Sequence, residues 1–205
     1  MKLSILIPTH NRPTLFPRCL KSILDQITDD MEIIVNNDSN DITEIDHPQV
    51  TYHYNKFDNL SLVYKFLLDQ SCGEYVYFLE DDDYVVNDFT SIPLDADLIG
   101  GNYYPTYHNS HILSYTRLYT DAVYNSNDFV NQTDLGKLQL SQFVFKRDCI
   151  KDFEFPMDSN IHNDIKLVMH AALHSTKIRT LRKVLYYQTI DGRDNISFPH
   201  LHPIK

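Results

Sequence analysis

Four consecutive carboxylates, Glu80-Asp81-Asp82-Asp83, stand directly behind the run Tyr75-Val76-Tyr77-Phe78-Leu79. The run is β-branched and aromatic and reads as a buried parallel strand, so the acids emerge at its carboxyl end. Like charges crowded there repel one another unless a cation or hydrogen-bond donors offset them. In extended backbone Glu80 and Asp82 point to one side and Asp81 and Asp83 to the other. One pair can then face a hard divalent ion, Mg²⁺ or Mn²⁺, and the other a sugar or solvent. The plain alternative is a solvated acidic loop. The strand in front favours the metal, because open α/β sheets bind ligands at the carboxyl ends of their strands.

Two more polar clusters hold equivalent places. Pro8-Thr9-His10-Asn11-Arg12 follows an apolar stretch at 3–7, and Asn36-Asn37-Asp38-Ser39 follows another at 32–35. Singly, each is an ordinary turn. If the strands are parallel, all three clusters share one rim of the sheet.

The elements that must position them alternate between strand and helix. Strands are expected at 3–7, 32–35, 50–54 and 75–79. A helix at 14–26 places Leu15, Cys19, Leu20, Ile23 and Leu24 on one face, and a second at 60–70 is capped by Asn59 and ended by Gly73. This βαβ rhythm predicts a mostly parallel sheet with helices on both faces. Beyond residue 95 the pattern is less regular. Strands are expected at 97–101, 140–146 and 184–190, a surface loop at 125–137, and a helix at 161–173 that opens near Asn163-Asp164. The chain reads as one α/β domain over 1–205, with a nucleotide- and metal-binding half at 1–95 and an acceptor half at 96–205.

A chain of 205 residues can bury a full core as one domain. A net charge of −10 without a basic face argues against nucleic acid as partner. Cys19, Cys72 and Cys149 show neither metal nor redox spacing, and their odd number suits a reducing compartment. No apolar stretch reaches the roughly 18 residues of a membrane span, and Pro8 stops the first short one. The expectation is a cytoplasmic, soluble protein.

The chain resembles the family-2 glycosyltransferases of the GT-A fold. The resemblance lies in Ser4-Ile5-Leu6-Ile7-Pro8-Thr9-His10-Asn11-Arg12, in Glu32-Ile33-Ile34-Val35 with its polar turn, and in Gly73-Glu74 leading through the strand to the acids. Together these span residues 3–83, the last being the most specific. In the second half it rests on Asn163-Asp164 and on Phe145-Lys146-Arg147.

The resemblance implies an inverting transferase that moves a sugar from a nucleotide-diphosphate donor, a UDP-sugar, to a saccharide or other hydroxyl acceptor, with Mn²⁺ or Mg²⁺ on the diphosphate. Thr9 and Asn11 would meet the nucleotide, and Asp81 the ribose. Asp82, with Glu80, would hold the metal, and Asp164 would deprotonate the acceptor. Such a carboxylate base suits a single displacement. The family's paired Asp after the second strand is Asn36-Asn37-Asp38 here. With one residue of gap the base reader is Asn37, and without it Asp38. The family's basic residues on the next helix leave Lys65 as diphosphate partner, and Asn163 replaces the usual Glu of the base motif.

Ten histidines are present. His170 and His174 lie four apart with no third ligand evident, which favours a structural role. His200 or His202 is a weaker candidate for a late metal ligand. Tyr103, Tyr104, Tyr107 and Tyr115 are candidates for an aromatic floor under an acceptor, with core packing the equal alternative. Two other functions compete. A sugar nucleotidylyltransferase would call for a Gly-rich phosphate loop, and the segment after the first strand contains no glycine. A catalytically silent nucleotide-sugar or metal-binding domain would bind without turnover.

Overall fold

Every residue of β1 (Leu3–Thr9) is buried, because the strand lies between two parallel partners and both its faces are covered. The partners are β2 (Met31–Asn37) and β4 (Tyr75–Phe78). The computed structural model describes residues 1–39, 43–107, 111–112, 119–134, 138–156 and 163–190, without the side chains of Tyr107, His111, Ile112, Asn163 and Asp164.

The sheet runs β3 (Val50–His53), β2, β1, β4, β9 (Phe143–Lys146), β6 (Leu98–Tyr107), β10 (Ile178–Thr189), β5 (Tyr84–Val85). Two short strands, β7 (His111–Ile112) and β8 (Ala122–Tyr124), add to β6 and β10. The first four strands are parallel to one another, and β10 is parallel to β6. Between these two groups β9 runs antiparallel to both neighbours. This is the mixed, mostly parallel α/β sheet that the strand–helix rhythm predicts.

Helix α1 (Leu15–Leu24) buries Phe16, Cys19, Leu20 and Ile23 on one face of the sheet, close to the predicted stripe. On the other face, α2 (Leu60–Gln70) buries Val63, Tyr64, Leu67 and Leu68, and α4 (Asn163–Leu173) buries Leu167, Val168, Ala171 and Ala172. Asn59 caps α2 as expected, its side chain accepting from Leu62 N at 3.1 Å. No helix among the described residues is long and apolar enough to cross a membrane.

Some expectations fail, each for a local reason. Gly73 does not end α2 by a left-handed turn. The helix stops at Gln70, Ser71 is extended, and no described glycine has a positive φ. Gly73 is instead pressed against β1, where an added Cβ would lie 2.5 Å from Ser4 Oγ and 2.6 Å from Ser4 N. The stretch expected as a surface loop contains α3 (Ser126–Gln132), since Asn125 caps it through Asp128 N at 2.9 Å and Phe129 anchors it in the core. Both β6 and β10 extend well beyond the strands expected at 97–101 and 184–190. Their pairing covers both, and its register shifts between Thr180 and Tyr186.

Candidate active site

The three polar clusters do share one rim. Thr9 and Asn37 are register partners at the ends of β1 and β2, and Leu79 N donates to Leu6 O at 3.0 Å just before the acids begin.

The loop after β1 turns through Asn11, the one non-glycine residue with positive φ among those described, at 51°. Asn is among the residues that adopt this conformation most readily. Beside the turn, His10 N donates to Asp81 Oδ2 at 3.1 Å and Asn11 N donates to Ser39 Oγ at 3.2 Å. The loop therefore ties the end of β2 to the acids behind β4. The imidazole of His10 pairs through Nδ1 with Asp38, and Asn11 Nδ2 meets its Nε2 at 2.8 Å.

At the end of β2 the two asparagines are strand residues, not turn residues. Asn36 exchanges hydrogen bonds with the main chain of Asn55, at 3.0 and 3.3 Å. Asn37 Oδ1 accepts from Ser39 N at 3.0 Å and from Ser39 Oγ at 2.8 Å. Asn37 is 1% exposed, whereas the Asp38 side chain is 28% exposed. Among the described residues, Asn37 Nδ2 is buried without completing a hydrogen bond.

The acids do not alternate as an extended strand would. Asp83 N donates to Glu80 O at 3.1 Å, closing a turn with Asp81 and Asp82 at its corner. Asp81 and Asp82 then face the same cation. Arg12 Nε lies 3.6 Å from Asp81 Oδ1, and Nη2 lies 3.8 Å from Asp82 Oδ2. Glu80 turns away to accept from the Tyr64 hydroxyl of α2. Asp83 points inward, accepting from Thr189 N at 2.8 Å. Arg18 of α1 donates to the main-chain oxygen of Asp82 and to Thr189 Oγ1, with its guanidinium 4.4 Å from the centre of the Tyr84 ring.

This crowding shows in the ionisation of the buried acids. Burial and the charge of Asp82 push Asp81 up to about 7, against the opposing pull of Thr9, Arg12 and His10 N. Burial, Asp82 and Glu80 drive Asp83 well above the usual carboxylate range, with Thr189 N acting the other way. Burial also raises the thiol of Cys19, beneath Glu80 O, so Cys19 is an inert core residue.

Among the described residues no three His, Cys, Asp or Glu side chains form a metal-holding group. The donor set still suits Mg²⁺ or Mn²⁺. It offers hard oxygens and more acids than nearby guanidinium groups, and such ions are usually held by one or two carboxylates plus substrate phosphates.

Of the residues singled out in the sequence, Thr9, Asn11, Asn37, Asp38, Glu80, Asp81 and Asp82 gather at this rim. Lys65 does not join them. It pairs with Asp69 at 2.6 Å on the exposed side of α2, while Tyr64 carries that helix's contact with the acids. Asp164 is the second residue of α4, and its side chain lies outside the described atoms. His200, His202 and Tyr115 also lie outside the described residues. His170 and His174 stack at 4.1 Å, with His174 Nδ1 2.8 Å from His170 O. Tyr103 and Tyr104 stack on Tyr186 and Tyr187.

Arg18, Tyr64 and Thr189 belong to no site motif of the sequence, and Arg12 carries no assigned role there. The phase of α2 signals Tyr64, which follows Leu60 by four residues and shares its inner face with Leu67 and Leu68. Nothing local marks Thr189, 106 positions from Asp83.

Residues 4–91 match the model of glycosyl transferase family 2. Glycosyltransferase GlyA of Streptococcus pneumoniae is 27% identical over 138 residues, covering 60% of this chain and 20% of that protein. The GalNAc(5)-diNAcBac-PP-undecaprenol beta-1,3-glucosyltransferase of Campylobacter jejuni is 38% identical over 95 residues, 40% of this chain and 30% of that protein. The chain thus spans less than a third of the length of either. The crystal structure of Staphylococcus aureus TarS 1-349 in complex with UDP-GlcNAc superimposes with a TM-score of 0.74 at 19% identity, over 96% of this chain and 61% of that one. That likeness identifies the fold as GT-A. The acidic turn and both neighbouring loops lie inside the segment that matches glycosyl transferase family 2.

Proposed function

We propose that this chain transfers a sugar from a nucleotide-diphosphate donor, a UDP-sugar, to an acceptor hydroxyl with inversion. The observation that carries the reading is the joining of three strand ends into one rim by the His10–Asp81, Arg12–Asp81 and Asn11–Ser39 contacts. Such a rim at the carboxyl ends of parallel strands is where α/β folds take nucleotides. TarS, of the same fold, has been crystallised with UDP and with UDP-GlcNAc.

In this reading Asp38, more exposed than Asn37, reads the base. Its carboxylate can accept from the N3–H of uracil once His10 gives way. Thr9 and Asn11 line the nucleotide beside it, and Asp81 faces the ribose. Asp82, with Glu80 once it leaves the Tyr64 hydroxyl, would hold Mg²⁺ or Mn²⁺, which when bound supplies positive charge to the leaving diphosphate. The acceptor oxygen forms a bond to the anomeric carbon as the bond from that carbon to the diphosphate oxygen breaks. The electron pair leaves with UDP, and Asp164 takes the acceptor's proton.

The test is thermal stabilisation of the full chain by UDP, GDP and dTDP, each with Mn²⁺ or with EDTA, followed by release of UDP from UDP-sugars. Metal-dependent stabilisation by UDP with turnover of a UDP-sugar is expected. UDP binding equally well in chelator would refute the metal, and binding without turnover on any sugar donor would leave only a binding domain.

A further inference from the structure

Two arginines meet the acidic turn, and they meet different parts of it. Arg18 bonds the main-chain oxygen of Asp82 and the hydroxyl of Thr189, so it holds the backbone of the turn. Arg12 lies against the carboxylates themselves, at 3.6 Å from Asp81 and 3.8 Å from Asp82. These separations bring charges together without completing a hydrogen bond between them. The three side chains are only 11–15% exposed, so water screens them little.

We propose that Arg12 is a resident counter-cation that a divalent ion must displace to reach Asp82. The inference rests on the metal reading above and adds a competition to it. An ion bound at about 2.1 Å from a carboxylate oxygen would share that oxygen's surroundings with a guanidinium. Two cations so close repel each other, and the ion carries the larger charge. Arg18 serves differently, bonding a main-chain oxygen and a hydroxyl. Arg12 can move without dismantling the turn, since Asp81 keeps the His10 N–H and Asp83 keeps Thr189 N.

The nucleotide-free protein then holds metal weakly. A diphosphate changes the balance by bringing oxygen ligands for the ion and a new anion for the displaced guanidinium. Metal and nucleotide therefore bind cooperatively, each raising the affinity of the other by the same factor.

The experiment is calorimetric titration of Mn²⁺ into the nucleotide-free full chain, wild type against Arg12→Gln and Arg12→Ala. Both variants should bind Mn²⁺ about tenfold or more tightly than wild type, within the usual range of coupling between sites. Adding Asp82→Asn should abolish the gain. A measurement on the wild type alone stands beside it. Mn²⁺ should speed the modification of Arg12 by phenylglyoxal, read by mass of the peptide. Equal Mn²⁺ affinity in wild type and variants, or unchanged Arg12 reactivity on adding Mn²⁺ that does bind, would overturn the displacement and leave the metal site standing. Absence of Mn²⁺ binding in every form, even with UDP present, would sink the metal reading and this inference with it.

Discussion

His10 N donates to the Asp81 carboxylate at 3.1 Å across 71 positions of sequence. A main-chain donor holds that acid with any residue but proline at position 10. The loop after the first strand and the turn after the fourth are thereby one unit, and changes in one are felt in the other.

Asp82→Ala should remove the Mn²⁺-dependent part of stabilisation by UDP while the free protein melts no lower than wild type. Asp82 is the acid whose charge opposes ionisation of both Asp81 and Asp83, so its loss relieves repulsion in the turn. A ligand at about 100 times its dissociation constant stabilises by roughly 2.7 kcal/mol, which thermal melting resolves. Undiminished Mn²⁺-dependent stabilisation in the variant would move the metal away from Asp82.

Asn37 and Asp38 should separate. Asn37→Ala deprives Ser39 N and Ser39 Oγ of their acceptor in a buried place, which should cost about 1–3 kcal/mol of stability by chemical denaturation. Asp38→Ala, at a more exposed carboxylate, should leave stability nearly unchanged and weaken UDP far more than inorganic diphosphate. Equal loss of both ligands would mean that Asp38 does not read the base.

Far from the rim, Glu32 sets an acid limit on the fold. Burial alone would raise it, but donors from Ser4 Oγ, Cys72 N, Cys72 Sγ and Gly73 N outweigh burial and hold it below its ordinary value. A carboxyl depressed in the folded state contributes stability that is full above its unfolded pKa and lost as pH falls through the folded one. Glu32→Gln should therefore lower stability at neutral pH and flatten its decline below about pH 4.5. A pH profile of melting parallel to wild type would remove Glu32 from the acid transition.

Gly73→Ala should destabilise by about 1–3 kcal/mol, the ordinary cost of overpacking. The clash is with Ser4 N as well as Ser4 Oγ, and the main chain of a central strand cannot swing aside. Unchanged stability in urea would show that β1 yields there.

The parts of this fold that were legible in sequence are those set by local periodicity. The apolar runs behind β1, β2 and β4 and the stripe of α1 are patterns of single elements, and their polar ends mark the rim. What was hidden depends on distant pairing. Extended geometry places Asp81 and Asp82 on opposite sides, but the turn closed by Asp83 N gives them one arginine to share. Asn125 could be read as a turn former or as a helix cap, and only the pocket that takes Phe129 decides for the cap. Thr189 reaches Asp83 because β10 pairs with β6 and β5, a fact of topology that no window of residues contains.

Asp164 is the proposed base, and its position allows a simpler role. It is the second residue of α4, where a carboxylate is favoured by the helix dipole whatever else it does. The two roles make different demands. In the first turn of a helix, Asn forfeits only the charge–dipole part, about 0.3–1 kcal/mol, whereas a base cannot be replaced by Asn, since an amide takes no proton at neutral pH. Asp164→Asn should keep the melting temperature and the affinity for UDP near wild type while sugar transfer falls by about 10²-fold or more, the usual scale for a lost general base. Hydrolysis of the donor by water separates the roles further. If Asp164 activates the acceptor hydroxyl, transfer should fall much more than the slow release of UDP in the absence of acceptor. An Asn variant that transfers sugar at the normal rate would return Asp164 to the helix start and require another carboxylate as base.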